Sequence, residues 1–164
     1  MADDALPRIR PSRDGGAILL LGPVERRLLG ELLDRLDDRL GTDDPTTVRL
    51  FPPAHQHDPA AEAEYRSLVR EDLLQGHRSS LAVVRETLDA ATLDAAQLAA
   101  WLGVVNDLRL VLGTELGVTP QTSDDPPDED DPDYRLWVEY LYLTWIEGQL
   151  VEVASSSLPD LGTA

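Results

Sequence analysis

The spacing of apolar residues predicts helices over most of the chain. Within "GPVERRLLGELLDRLDDRLG", apolar side chains recur every four residues from Val24 to Leu40, which gives one apolar face and one solvated face. Pro23 is tolerated in the first turn of this helix, and Gly41 is placed to end it. A second helix is predicted after Asp58, a good N-cap residue.

The end of this second helix stays open at this point. Gly76 and His77 either break the helix, or the helix continues into "RSSLAVVRETLDAA". A third helix is predicted over "LDAAQLAAWLGVVNDLRLVLGTELG", with Thr92 as its N-cap and Gly117 at its end. Its apolar side chains share one face: Leu98, Trp101, Leu102, Val105, Leu108 and Leu112.

Short strands are predicted near the start of the chain. The segments "PRIR" and "AILLL" flank a turn sequence that contains Asp14-Gly15-Gly16, so Arg8–Leu21 is expected to form a β-hairpin. Apolar residues between prolines at Val48–Phe51 suggest a third short strand packed on the hairpin. The predicted fold class is mainly α: a single compact helical domain of about five helices with a small N-terminal β element.

One segment is acidic and lacks apolar residues. Between Asp124 and Asp133 lie seven carboxylates and three prolines, which predicts a flexible loop at 124–133. This loop lies within a domain expected to span 8–155, with disordered ends at 1–7 and 156–164. An EF-hand is not predicted, because the glycine that makes its sharp turn is missing.

The last helix, "YRLWVEYLYLTWIEGQLVEVASS", is apolar on nearly all sides. Such a helix either runs through the centre of its domain or forms an interface between subunits. Large apolar patches in water usually mark an interface, and two-fold pairing is the commonest outcome, so a homodimer is predicted. The candidate interface consists of Trp137, Tyr140, Tyr142, Trp145 and Ile146.

An arginine interrupts the apolar face of the third helix. In a helical projection Arg109 falls about 20° from Leu98, in the middle of that face. Asp107 is expected to point to the opposite side and Asn106 to the edge. An arginine keeps its charge, so at a core position it requires a carboxylate and further hydrogen-bond acceptors.

A carboxylate from another helix is expected to bind Arg109. Glu147 is the first choice and Glu139 the second, with Glu71 or Asp72 behind them. The pair has two interpretations. It is either a structural ion pair, or a binding core in which the arginine anchors a ligand or a protein partner.

Composition narrows the possible functions. The 164 residues carry a net charge of −17, from 31 acids and 14 bases, and every base is an arginine. Such a negative chain opposes binding to phosphates, so no direct duplex binding is expected, although Arg8, Arg10 and Arg13 form a basic run.

The absence of cysteine excludes disulfides and thiolate metal sites. Neither a signal peptide nor a membrane span is recognised in the sequence, which predicts a cytoplasmic protein.

Reactive groups do not form a recognisable catalytic pattern. His55 and His57, followed by Asp58, could hold a metal ion, but no third ligand has a suitable spacing. The sequence contains no phosphate-binding loop, dinucleotide-binding turn or nucleophile elbow. A non-enzymatic binding protein without metal or cofactor is therefore predicted, and a metal-dependent enzyme that uses the two histidines is the remaining alternative.

Three segments resemble a known family. They are "NDLRLVLGTELGVT", the "RLFPPA" segment ahead of "EYRSLVREDLL", and "YLYLTWIEGQLVE". Together they are similar to the AosR-like family, named after an actinobacterial oxidative stress regulator, over about residues 8 to 153. The most specific part is the Asn-Asp-x-Arg-Leu-x-Leu-Gly pattern, which here comprises Asn106, Asp107, Arg109, Leu110, Leu112 and Gly113.

The resemblance implies a small cytoplasmic regulatory protein with no established enzymatic activity. Its gene context is linked to the ClpS adaptor and to cysteine biosynthesis. Two kinds of partner follow: a sigma factor or RNA polymerase, whose basic surfaces attract an acidic protein, or the proteolysis machinery associated with ClpS. The redox sensing of the family relies on cysteines, so it does not carry over to this chain.

Overall fold

The computed structural model describes residues 6–122 and 125–156. The predicted disordered ends, 1–7 and 156–164, lie mostly outside these residues. Asp124, the first residue of the predicted acidic loop, also lies outside them. The mainly α fold class is confirmed, since about two thirds of the chain is helical. The elements are β1 (Ile9–Pro11), β2 (Ala17–Leu19), α1 (Pro23–Leu40), a 3-10 helix (Pro45–Leu50), α2 (Pro59–Thr87), β3 (Thr92–Leu93), α3 (Ala95–Glu115) and α4 (Tyr134–Ser156).

The predicted hairpin is part of a three-stranded antiparallel sheet with the order β1-β2-β3. Ile9 lies opposite Leu19 in the first pair, and Ala17 lies opposite Leu93 in the second. Gly16 permits the close approach of β3, because a Cβ there would lie 1.9 Å from the carbonyl oxygen of Leu93. The third strand therefore comes from the segment before α3.

The strand predicted at Val48–Phe51 is wrong, because Pro45–Leu50 forms the 3-10 helix. Asp44 caps this helix by accepting a hydrogen bond from the Thr46 backbone N–H, and a proline follows the cap directly. These local helix-start signals determine the backbone here. Val48 and Leu50 would lie on one face of a strand, but the Val48 side chain is exposed and the Leu50 side chain is buried.

The N-cap predicted for α3 is also wrong. Thr92 lies in β3, and the helix begins after Asp94, whose carboxylate accepts a hydrogen bond from the Gln97 backbone N–H at 2.7 Å. The Gln97 side chain in turn accepts from the Asp94 backbone N–H at 2.9 Å. This capping box satisfies two backbone donors, whereas a threonine two residues earlier has its backbone in the sheet.

The second helix does continue through Gly76 and His77. α2 runs without interruption from Pro59 to Thr87, and its buried residues all lie in its last two turns: Leu81, Val84 and Thr87. Residues 59–80 are exposed or half-buried. The first part of α2 therefore projects along the surface, and its second part packs on α3.

The centre of the domain is α3, which packs against α2, α4 and the 3-10 helix. Trp101 is fully buried there and donates its indole N–H to the Thr87 hydroxyl at 2.8 Å. Among the helices that the structure describes, α3 is the one long and apolar enough to cross a membrane. A core helix surrounded by other helices passes the same test of length and composition.

Helix α4 lies on the outside of α3 and also contacts β1. One face is buried in the core and contains Leu143, Ile146, Leu150 and Val153. The opposite side exposes Val138, Trp145 and Val151. The sequence left two interpretations of α4: a central helix of the domain, or an interface helix. The structure places α3 at the centre, so α4 is not the central helix.

Candidate functional site

The Asn106–Gly113 segment lies in the second half of α3, where its polar side chains reach different neighbours. Arg109 reaches α4, and Asp107 reaches α2. Asn106 is half-buried on α3 and takes part in neither pair. The segment therefore connects the central helix to the elements on both of its sides.

The Arg109 side chain is bonded to Glu147 of α4. Its Nη1 atom donates to the Oε2 atom of Glu147, and its guanidinium carbon lies 5.8 Å from the centre of the Tyr140 ring. The two side chains are 29% and 16% exposed, so the pair is half-buried. The second candidate, Glu139, is buried but accepts a hydrogen bond from Arg35 of α1 at 2.7 Å.

Asp107 contacts α2 whereas Arg109 contacts α4, and the side of α3 that Asp107 faces is buried. Asp107 is only 7% exposed, and its Oδ2 atom lies 2.6 Å from Nδ1 of His77 in α2. The other ring nitrogen of His77 lies 3.3 Å from the carbonyl oxygen of Leu50 in the 3-10 helix. Because α2 continues past Gly76, it covers the face of α3 opposite the predicted apolar face.

The surroundings of His77 favour its protonated form. Both ring nitrogens face oxygen acceptors, and only the imidazolium form donates from both nitrogens. The hydrogen bond to Asp107 raises the pKa of His77 above its ordinary value of 6.5, although partial burial opposes the rise. The Phe51 ring packs edge-on against the imidazole at 5.5 Å.

We expect the contribution of His77 to the free energy of unfolding to decrease as the pH rises above 6.5, the ordinary pKa of histidine. Because the pKa of His77 is higher in the folded protein than the ordinary value of 6.5, its stabilising contribution is complete below that pH. The contribution is lost as the pH rises through the folded pKa. Urea unfolding measured between about pH 6 and about pH 9 checks this.

Two histidine variants provide the comparison for this pH profile. His77→Gln should flatten the profile, because an amide does not titrate in this range. His55→Gln changes an exposed loop residue and should leave the profile as in the unmodified protein. A His77→Gln profile as steep as that of the unmodified chain would contradict the assignment.

Gly113 permits close packing of α4 on α3. A Cβ at this position would lie 3.3 Å from the Cε2 atom of Tyr140 and 3.9 Å from Nη1 of Arg49. The Arg49 side chain also donates to the carbonyl oxygen of Val118 at 3.2 Å, just after the end of α3. The last residue of the Asn-Asp-x-Arg-Leu-x-Leu-Gly pattern is therefore explained by helix packing.

The candidate metal ligands His55 and His57 lie in the exposed loop before α2. The His55 ring packs edge-on against Tyr65 at 5.9 Å, and Glu62 accepts hydrogen bonds from the backbone N–H groups of Ala54 and His55. Within residues 6–122 and 125–156, no group of three or more histidine or carboxylate side chains is arranged to hold a metal ion.

The predicted interface residues divide between the two sides of α4. Ile146 is fully buried in the core of its own chain, so its assignment to an interface is wrong. Trp137, Tyr140 and Tyr142 are half-buried, and Trp145 is 37% exposed. Tyr142 lies partly inside the domain, and this burial raises the pKa of its hydroxyl group.

His77 is the important residue that the sequence pattern did not reveal. Its partner lies on another helix, and only the continuity of α2 brings the two together. The sequence indicated a role for His77 only weakly. It is a single histidine next to a glycine, in a segment where the second helix could also have ended. Arg109 was recognisable because it is a charge within an otherwise apolar face.

The fold and the two ion pairs define a class of protein: a small, mainly helical domain whose central helix is joined to its neighbours by charged residues. The chain belongs to the family described as Domain of unknown function (DUF2017), whose model matches residues 7–154. Comparison with curated proteins and with solved structures gave no match.

Proposed function

We propose that this protein is a non-enzymatic, cytoplasmic regulatory protein that acts by binding another protein. The observation that carries the proposal is the exposed acidic segment 125–133 between α3 and α4. Its six carboxylates are all exposed: Asp125, Asp128, Glu129, Asp130, Asp131 and Asp133. Turns within the segment, such as the hydrogen bond from the Tyr134 backbone N–H to the Asp131 carbonyl at 3.0 Å, lead directly into α4.

The charge of the chain favours a basic protein partner. A net charge of −17 attracts positive surfaces and repels the phosphates of nucleic acids. Sigma factors and RNA polymerase carry basic surfaces because they bind DNA, so an acidic protein is suited to contact them. The resemblance to the AosR-like family supports the same link to transcription and to the stress response. We therefore propose an actinobacterial regulator of this kind within the DUF2017 family.

Binding to a sigma factor or polymerase should weaken about tenfold or more when the acidic segment is neutralised. The variant combines Asp128→Asn, Glu129→Gln, Asp130→Asn and Asp131→Asn, which preserve length and hydrogen-bonding groups. Fewer charges reduce the long-range attraction and make binding less dependent on salt. Fluorescence anisotropy with a labelled protein, titrated with purified sigma factors, polymerase core and ClpS, measures the affinities.

A matched control neutralises four carboxylates elsewhere, by Glu64→Gln, Glu71→Gln, Asp72→Asn and Glu86→Gln on the exposed side of α2. This control has the same net charge as the first variant, so it should bind almost as tightly as the unmodified protein. An equal loss in both variants would show that the total charge matters and the segment does not.

The other outcomes of the titration separate the alternatives. Tight binding to ClpS, with none to the transcription proteins, would replace this proposal with a role in proteolysis. The same assay with duplex DNA should show no tight binding at physiological salt. A submicromolar, salt-dependent shift with DNA would contradict the proposed protein-binding role.

A further inference from the structure

His77 of α2 joins two other elements through its two ring nitrogens. Nδ1 lies 2.6 Å from the Asp107 carboxylate in α3, and Nε2 lies 3.3 Å from the carbonyl oxygen of Leu50, the last residue of the 3-10 helix. Both neighbours are hydrogen-bond acceptors, so both contacts are hydrogen bonds only when each ring nitrogen carries a hydrogen. The imidazole ring has two N–H groups only in its protonated form.

Loss of this proton affects the two contacts of His77 unequally. The neutral ring keeps a single N–H group. Asp107 is the closer acceptor, and its negative charge makes it the stronger one, so the hydrogen stays on Nδ1. Nε2 then directs a lone pair at the Leu50 carbonyl oxygen, and two acceptors form no hydrogen bond. Deprotonation therefore removes the contact with the 3-10 helix and preserves the one between α2 and α3.

The charged groups near this contact come from three elements. From α3, Asp107 faces the imidazole of His77. Arg49, the charged residue within the 3-10 helix, instead donates to a backbone carbonyl after the end of α3 at 3.2 Å. On α2 itself, Arg70 is bonded to Asp43 at 2.8 Å, ahead of the 3-10 helix. Arginines keep their charge over the ordinary pH range, so the proton of His77 is what pH changes in this contact.

The end of the 3-10 helix is suited to local opening. The helix buries two side chains, Thr47 and Leu50, and the residues that follow it, 52–58, are all exposed. Its start is held separately, since Arg39 donates to the Thr46 hydroxyl at 3.1 Å. A segment with few buried side chains opens at a lower free energy than the whole domain unfolds. Such an opening would uncover the part of α3 on which the 3-10 helix packs.

We propose that His77 is a pH-dependent switch: its protonated form fastens the end of the 3-10 helix to α2 and α3, and loss of the proton releases Leu50 and Phe51. The switch operates at neutral to mildly alkaline pH, because the hydrogen bond to Asp107 raises the pKa of His77 above 6.5. A rise in pH thus exposes the Leu50 side chain and the surface of α3 beneath it. The switch does not require the protein partner proposed above.

Hydrogen exchange of the backbone N–H groups at 45–51 should become at least about threefold faster from about pH 6.5 to about pH 8.5, after correction for the chemical rate at each pH. Mass spectrometry measures this exchange. In His77→Gln the corrected exchange should be the same at both pH values, because an amide does not titrate. His55→Gln, a change in the exposed loop, should behave as the unmodified chain. In Asp107→Asn the acceleration should begin at lower pH, since the carboxylate no longer stabilises the imidazolium.

Urea distinguishes local opening from unfolding of the whole domain. A local opening exposes little surface, so about 1 M urea should leave exchange at 45–51 unchanged and accelerate exchange in the buried part of α4, at 143–150. The chain has three histidines, so an NMR titration with the His77 variant identifies the imidazole of His77. Its midpoint should coincide with the acceleration.

Three results would overturn the proposal. The first is corrected exchange at 45–51 that is equal at the two pH values. The second is exchange at 45–51 that responds to urea as steeply as exchange in α4, since the opening would then be global. The third is an acceleration that follows the titration of His55 or His57 and persists in His77→Gln.

Discussion

Asp107→Ala should lower the free energy of unfolding by about 3 kcal/mol at pH 6, because it removes one partner of a buried ion pair. Asp107 is 7% exposed, and its loss leaves the protonated His77 with the Leu50 carbonyl as its remaining acceptor. At about pH 8 the loss should be smaller, since the histidine can then give up its proton. Urea unfolding at the two pH values measures both effects.

The control for this variant is Asp43→Ala. Asp43 also forms an ion pair, with Arg70 at 2.8 Å, but its side chain is 95% exposed. An exposed pair of this kind contributes less than about 1 kcal/mol. Similar losses in the Asp43 and Asp107 variants would contradict a stabilising role that depends on burial.

Arg109→Ala should lower the free energy of unfolding by about 2 kcal/mol, because it leaves the Glu147 carboxylate half-buried without its partner. A fully buried pair would cost more, but here the arginine side chain is 29% exposed and water can reach it. Arg109→Lys should recover only part of the loss, since an ammonium group lacks the planar guanidinium that contacts both Glu147 and Tyr140. Denaturant unfolding of the two variants checks this.

A double-mutant cycle with Glu147→Gln separates the two interpretations of Arg109. If the pair is structural, the two single changes should not be additive, and the coupling energy should account for most of the loss. If Arg109 instead serves a partner, the alanine variant should keep its stability within about 1 kcal/mol and lose binding in the anisotropy titration. The position of the pair between α3 and α4 favours the structural interpretation.

Local patterns in the sequence were sufficient for much of the fold. α1, α3 and α4 follow the apolar period, because helical hydrogen bonds join residues close together in the chain. The contact of Arg109 with Glu147 could also be anticipated. Each is a charge within an apolar face, and a charge in such a place requires a partner.

The remaining features depended on which elements meet in three dimensions. β3 forms at Thr92–Leu93 because Gly16 lets the two backbones approach, and neither segment alone indicates this pairing. Asp107 is buried because the continuous α2 covers its side of α3. A helical projection shows the directions in which side chains point, but burial is decided by what packs against each direction. For the same reason, only the packing of α4 on α3 and β1 decided which of its apolar sides is buried in the core.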